Sequence, residues 1–170
     1  MTMPAIRIER ATSPTPAVRE LVAALDAELA QSYAAEQRHG LALDALFQPH
    51  ILFFLAFAGD DAVGCGGIAL FDDFAEVKRL YVRPDRRGQG IADALLARLT
   101  MEAAQAGHAL LRLETGVFQP AALRFYARAG FLPCPAFEPY KSMPKSAGGM
   151  SVFRERRGTG AGVDPKRGQS

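Results

Sequence analysis

The stretch Glu76-Val77-Lys78-Arg79-Leu80-Tyr81-Val82-Arg83-Pro84 runs directly into Arg87-Gly88-Gln89-Gly90-Ile91-Ala92, and the junction has the chemistry of an anion site. Beyond it Ile91, Leu95 and Leu99, with Ala92, Leu96 and Ala103, recur at the spacing of an amphipathic helix. A helix start presents unpaired backbone N–H groups and the positive end of its dipole, which favours an anion there. The two glycines let the backbone turn those N–H groups outward, and Arg86 and Arg87 add mobile positive charge. Strand, glycine-rich turn and helix together read as a phosphate cradle. It is not a Walker loop, since no Lys-Ser or Lys-Thr follows the glycines. The dinucleotide fingerprint fails as well, because Asp93 occupies the third glycine position. Gly64-Cys65-Gly66-Gly67-Ile68-Ala69 fits G-x-G-x-x-A on paper but leads into Leu70-Phe71-Asp72-Asp73 rather than a helix, so it reads as a bulged or closely packed strand.

The charges just before the cradle are unusual for a strand. One face presents Glu76, Lys78, Leu80 and Val82, the other Ala75, Val77, Arg79 and Tyr81, and neither is cleanly apolar. Alone, the segment would read as an edge strand with solvated charges. Its continuation into the cradle makes those charges candidates for chemistry instead. Other constellations are bland. His39, His50 and His108 stand far apart without metal-ligand spacing, so no metal is expected. No Gly-x-Ser-x-Gly supports a hydrolase. Cys65, in an apolar strand, reads as a small core residue, and Cys134, between two prolines, as a loop residue.

The elements that must position these residues follow from hydrophobic periodicity. Ala5 to Glu9 reads as a first strand. Thr15 is an N-cap with Pro16 at the first helical position, and Val18, Leu21, Val22, Leu25 and Leu29 carry a helix to about Tyr33. Leu43, Leu46 and Phe47 suggest a second short helix, closed by Pro49. His50 to Ala58 and Ala62 to Phe71 form a hairpin around Gly59-Asp60-Asp61, and Glu76 to Val82 adds a third strand to the meander. Gly107 stops the cradle helix. A strand from Leu110 to Thr115, a helix from Pro120 to Ala129, and closing strands from Phe131 to Phe137 and Met150 to Phe153 follow. A meander followed by strand–helix–strand predicts an α/β (α+β) fold. Its single mixed, mostly antiparallel sheet would have six to seven strands and one parallel crossover, flanked by about four helices. From about Arg156 the chain has almost nothing to bury and reads as a disordered tail, which leaves residues 1–155 as one domain.

Composition narrows the class. A hydrophobic share of 49% and a charged share of 22% argue against a disordered or fibrous chain. The longest apolar run, Ile51 to Ala58, is far short of the roughly 20 residues of a bilayer span. The N-terminus lacks the pattern of a signal peptide, so a cytoplasmic location is expected. Two cysteines cannot form a disulfide framework or a four-thiolate zinc site. Twenty basic against 18 acidic residues is too balanced to argue for nucleic acid or a membrane surface as partner.

Arg87-x-x-Gly90-x-Ala92, preceded by Tyr81-Val82-Arg83-Pro84 and followed by Ala94-Leu95-Leu96, resembles the acetyl-CoA signature of the GNAT N-acetyltransferases. Leu113-Glu114-Thr115-Gly116, Gln119-Pro120-Ala121-Ala122 and Phe125-Tyr126-x-x-x-Gly130-Phe131 are similar to the strand and tyrosine-bearing helix those enzymes set beside the thioester. The resemblance spans roughly residues 5 to 155. It implies the GNAT fold, with the fourth and fifth strands splayed to admit the pantetheine arm of acetyl-CoA. Leu80, Tyr81 and Val82 would bond that arm through their backbone. The N–H groups of Gly88, Gln89, Gly90, Ile91 and Ala92 would hold the pyrophosphate, with Arg87 beside it. Gln119 stands where many relatives carry an Asn that contacts the cofactor.

The implied reaction is direct attack of a primary amine on the thioester. Tyr126 matches the family's general acid for the leaving thiolate. Glu76 sits where several members carry the base, with a structural ion pair to Lys78 or Arg79 as its competing role; Glu114 is the second candidate base. The expected acceptor is a small-molecule amine. A protein lysine or N-terminus is the alternative acceptor, and a non-catalytic acyl-CoA-binding module the alternative class. The family chooses its acceptor through the segment here spanning about 15–48 and the loop before the last strand, where Asp26, Glu28 and Glu36 could attract a cationic amine. No nucleic-acid, membrane or metal partner is expected from charge balance and histidine spacing, and a homodimer is the candidate assembly.

Overall fold

The computed structural model describes residues 5–35, 38, 41–143 and 150–158; Glu36, His39 and the tail beyond 158 lie outside the described residues. In chain order the elements are β1 (Ile6–Ala11), α1 (Pro16–Ala30), β2 (Ile51–Ala58), β3 (Asp61–Leu70), β4 (Ala75–Val82), α2 (Ile91–Gln105), β5 (Leu110–Gly116), α3 (Pro120–Arg128), β6 (Leu132–Pro133) and β7 (Ser151–Arg157). The strands form one seven-stranded sheet in the order β1-β2-β3-β4-β5-β7-β6. Every neighbouring pair is antiparallel except β4 with β5, which are parallel and joined through α2.

The helices form where local chemistry directs. Thr15 caps α1, its hydroxyl accepting from the Val18 N–H at 3.4 Å, and Pro16 fills the first helical position. α1 buries Val18, Leu21 and Val22 against one face of the sheet, with Phe53, Leu55, Cys65 and Tyr81. α2 buries Ile91, Leu95, Leu96, Leu99 and Ala103 against the other, with Phe54, Ala56, Val63 and Ile68. Both faces of the central strands are therefore covered, which is why β2 reads as an unbroken apolar run rather than an alternating one.

The glycines of β3 serve close packing, as their strand context predicts. A Cβ on Gly64 would lie 2.9 Å from the Tyr81 carbonyl oxygen and 3.2 Å from Leu95 Cδ1. Gly64→Ala must therefore push α2 off the sheet or distort β4. We expect it to lower unfolding stability by about 1–3 kcal/mol, the usual cost of overpacking, seen as a lower urea midpoint at unchanged slope.

The segment from Glu76 to Val82 lies at the centre of the sheet, as the implied splay of the fourth and fifth strands requires, and its charges are met by partners from distant parts of the chain. Three other expectations are corrected. The short helix expected around Leu43 to Phe47 is a single 3₁₀ turn, Asp44–Phe47, leaving three α-helices among the described residues rather than about four. The strand expected from Phe131 to Phe137 shrinks to Leu132–Pro133, since prolines at 133 and 135 remove ladder donors. The last strand instead runs on through Arg157. Arg156 stacks over Phe131 at 4.8 Å and donates to the Ala129 carbonyl at 2.9 Å, so this charged segment is built into the fold.

Candidate active site

β4 and β5 pair only over Ala75–Val77 and Leu111–Leu113, and then part. The cause lies in β4. The β3–β4 register slips between Cys65 and Gly67, and Arg79 takes φ +55°, a left-handed conformation costly for a residue with a side chain. Arg79 is held there by its own guanidinium, which donates to Asp26 of α1 at 2.6 Å and to the Leu41 carbonyl at 2.7 and 3.1 Å. The bulge bends Leu80, Tyr81 and Val82 away from β5 while Tyr81 and Val82 stay paired with β3. Their backbone groups on the β5 side are thereby left for another partner.

The gap opens into a cleft of about 510 Å³ between β4, the start of α2, and α3. Of the residues that the resemblance assigns to the cofactor, Leu80, Tyr81, Val82, Arg87, Gly88, Gly90, Ile91, Ala92 and Gln119 line it. Gln89 does not: it stands exposed at the tip of the turn, between two glycines with φ +79° and +81°. α2 begins at Gly90 with no side-chain cap, so its first-turn N–H groups have no side-chain acceptor of their own. A Cβ on Gly88 or Gly90 would meet nothing within 4 Å, so the space before those N–H groups is open. An uncapped helix start with open space before it fits a pyrophosphate. Arg87 is less mobile than the sequence suggests. It donates to the Val82 carbonyl at 3.0 Å and pairs with Glu28 of α1 at 2.9 Å. Arg128, which carries no sequence signal, adds a further cation to the lining.

A second, smaller pocket of about 150 Å³ lies further along the same gap. It brings together Glu76, Glu114 and Tyr126, the three candidate catalytic residues, from β4, β5 and α3. Leu25, Leu80, Gln119, Ala122 and Tyr126 line both cavities, so the two meet at those side chains. Tyr126 is buried with its ring edge-on to Phe125 and Phe131, and burial pushes its hydroxyl above the usual tyrosine range. Glu76 is 1% exposed, and its Oε2 accepts from the Tyr140 hydroxyl at 2.5 Å and lies 2.9 Å from the Lys78 ammonium. Lys78 also donates to the Tyr140 hydroxyl at 2.5 Å, closing a three-membered network. Of the two pairings expected for Glu76, Lys78 is the one formed, since Arg79 turns to Asp26. The Oε1 atom of Glu76 has no partner among the described residues. Glu114 is half-buried and accepts from Ser151 at 2.8 Å.

Tyr140, Tyr33 and Arg38 line this pocket without having been singled out from sequence. Tyr140 comes from a loop without periodicity, and aromatic contacts with Phe137 and Phe153, at 5.4 and 5.6 Å, hold it. Tyr33 accepts from the Phe118 N–H at 2.7 Å and abuts Gly116 so closely that any Cβ there would collide with its ring. Asp26 and Glu28, expected as attractors of a cationic amine, instead anchor Arg79 and Arg87.

Cys65 is buried, its thiol pushed up to about 12 by burial, and its Sγ donates to the Arg79 carbonyl at 3.4 Å. Cys134 is also raised, chiefly by burial. A thiol raised in this way is poorly suited to act as a thiolate nucleophile. The Cys65→Ser, Cys134→Ser double variant is expected to keep turnover within about twofold of wild type, as a serine hydroxyl can make the same bond to Arg79. A folded variant with most of its turnover lost would contradict this.

Comparison with known proteins adds a family. The model of the "Acetyltransferase (GNAT) family" matches residues 17–131. The chain is similar to the IAA acetyltransferase of Azospirillum brasilense, with 38% identity over 156 residues that cover 91% of this chain and 99% of that protein. Its fold is similar to that of an acyl-CoA N-acyltransferase from Klebsiella pneumoniae, with TM-score 0.71, 34% identity, and 89% and 97% of the two chains covered. A GNAT acetyltransferase from Elizabethkingia anophelis, solved with acetyl-CoA bound, shares the fold at TM-score 0.63 and 21% identity, over 89% and 97% of the chains.

Proposed function

This chain belongs to the GNAT family of N-acetyltransferases, which take their acetyl group from acetyl-CoA, and from that premise we propose that its acceptor is the primary amine of a small molecule. The observation that carries the reading is the meeting of two cavities: a long cleft of cofactor size and a short charged pocket share Leu25, Leu80, Gln119, Ala122 and Tyr126. A pocket of about 150 Å³ suits a small group better than a folded protein segment. The similarity to an IAA acetyltransferase supports the same choice.

In this reading acetyl-CoA supplies the thioester. The uncapped start of α2, from Gly88 to Ala92, holds its pyrophosphate. The backbone of Leu80 to Val82, freed by the Arg79 bulge, pairs with the pantetheine amides. An acceptor ammonium has a pKa near 10 and must lose a proton before attack. Glu76 takes that proton on Oε1, while Tyr140 and Lys78 fix the carboxylate through Oε2; Glu114 is the alternative base. N–H groups of the bulged strand polarise the thioester carbonyl. Tyr126 gives its proton to the departing thiolate and, because burial raises its hydroxyl, is protonated at the start of each turnover. The test is release of free thiol from acetyl-CoA by the purified protein across a panel of primary amines, with acetylated product identified by mass. Thiol released only with amine is expected. Tight acetyl-CoA binding with no release for any amine would favour a non-catalytic acyl-CoA-binding module.

A further inference from the structure

We propose that the acceptor carries an anionic group in addition to its amine, and that Arg38 is the residue that selects it; this rests on the acetyl-transfer reading above. The charged groups of the smaller pocket are nearly all matched within the protein. Oε2 of Glu76 is taken by Tyr140 and Lys78, Arg79 is bound to Asp26 and the Leu41 carbonyl, and Glu114 accepts from Ser151. Two atoms are left over. Glu76 Oε1 and Arg38 Nε are both buried and have no hydrogen-bond partner among the described residues, and both belong to residues that line this one pocket.

A buried donor on a guanidinium and a buried acceptor on a carboxylate each lose their hydration without recovering it. One ligand with an ammonium and an anion would satisfy both at once, the ammonium at Glu76 and the anion at Arg38. A plain alkylamine would satisfy only the first. It would also add a positive charge to a wall that already carries Arg38, Lys78 and Arg79. Size adds a limit. A cavity near 150 Å³ takes a group about as large as benzene, so amine and anion are separated by a few carbons. The acceptor class is therefore a short aminoalkyl acid, with carboxylate or phosphonate as the anion. The guanidinium fork suits both.

The test compares 4-aminobutanoate and 3-aminopropylphosphonate with the neutral 4-aminobutanamide, using the full chain with acetyl-CoA. Thiol release gives kcat/KM for each. Calorimetry of the same three compounds into protein saturated with coenzyme A gives binding without chemistry. At least one acid is expected to exceed the amide by about 10–100-fold in both, as for a hydrogen bond between charged groups. In Arg38→Gln that preference collapses towards unity, mainly through KM, and Arg38→Lys recovers part of it. Preference for one acid only identifies which anion is bound. Equal use of acids and amide by the wild type, or a preference that survives in a folded Arg38→Gln, would overturn the proposal. Arg38-dependent binding of an acid without thiol release from any amine would support the Arg38 assignment while overturning the catalytic reading.

Discussion

Gly90→Glu is expected to abolish acetyl-CoA binding. Gly90 sits at φ +81° at the start of α2, and a Cβ there points into open space rather than into protein. A glutamate side chain would enter the volume assigned to the pyrophosphate and set a carboxylate beside it. Two unit charges about 4 Å apart near a protein surface repel by about 4 kcal/mol, roughly a thousandfold in affinity before steric exclusion is counted. Calorimetry should show no detectable heat in a variant whose melting transition is retained. Gly90→Ala separates the contributions: it carries the left-handed strain without the charge, so it should still bind measurably. Affinity for acetyl-CoA equal in wild type and Gly90→Glu would remove the cradle from the account.

The second large effect is on turnover rather than binding. Tyr126→Phe should lower kcat by 10²–10⁴-fold, the usual range for loss of a positioned acid, with the acetyl-CoA dissociation constant nearly unchanged. Only a hydroxyl is removed, and the ring contacts with Phe125 and Phe131 persist. Because burial raises the Tyr126 hydroxyl above the ordinary tyrosine value, it stays protonated as pH rises to 10. The wild-type rate should accordingly show no loss from its ionisation below that point. Glu76→Gln should slow turnover most at neutral pH and recover towards high pH. Below an amine pKa near 10 the acceptor is an ammonium that needs a base; above it the amine attacks unaided. A wild-type pH profile in Glu76→Gln alongside a distorted one in Glu114→Gln would move the base to β5. No effect in either would leave positioning as the source of catalysis.

What was legible in the sequence was local. The Thr15 cap, the stripe from Ile91 to Ala103 and the glycine stop at Gly107 depend on residues within a few positions of one another, and each is formed. The cradle was legible for the same reason, since a strand end, two glycines and a helix start are consecutive. The gap between β4 and β5 followed only through family resemblance. Its physical cause, the left-handed Arg79, is fixed by an aspartate 53 residues away, which no local pattern reports. Taken alone, β4 has the charge pattern of an edge strand, because Glu76 and Lys78 are matched by Tyr140, more than 60 residues on, in a loop of prolines and small residues. The length of β7 was hidden likewise. Arg156 read as the start of a tail with almost nothing to bury, yet it donates to the carbonyl of Ala129, as its neighbour Arg154 does to that of Phe131.

The most direct test of the central claim, that an amine in the smaller pocket attacks a thioester held in the adjoining cleft, is an initial-velocity study varying acetyl-CoA and acceptor together. The account requires both substrates to be bound at once, because Leu25, Leu80, Gln119, Ala122 and Tyr126 form the meeting wall of the two cavities. Double-reciprocal lines should therefore intersect. Parallel lines, with acetyl group retained on the protein after acetyl-CoA is consumed without acceptor, would show transfer through a covalent acyl-enzyme and contradict it.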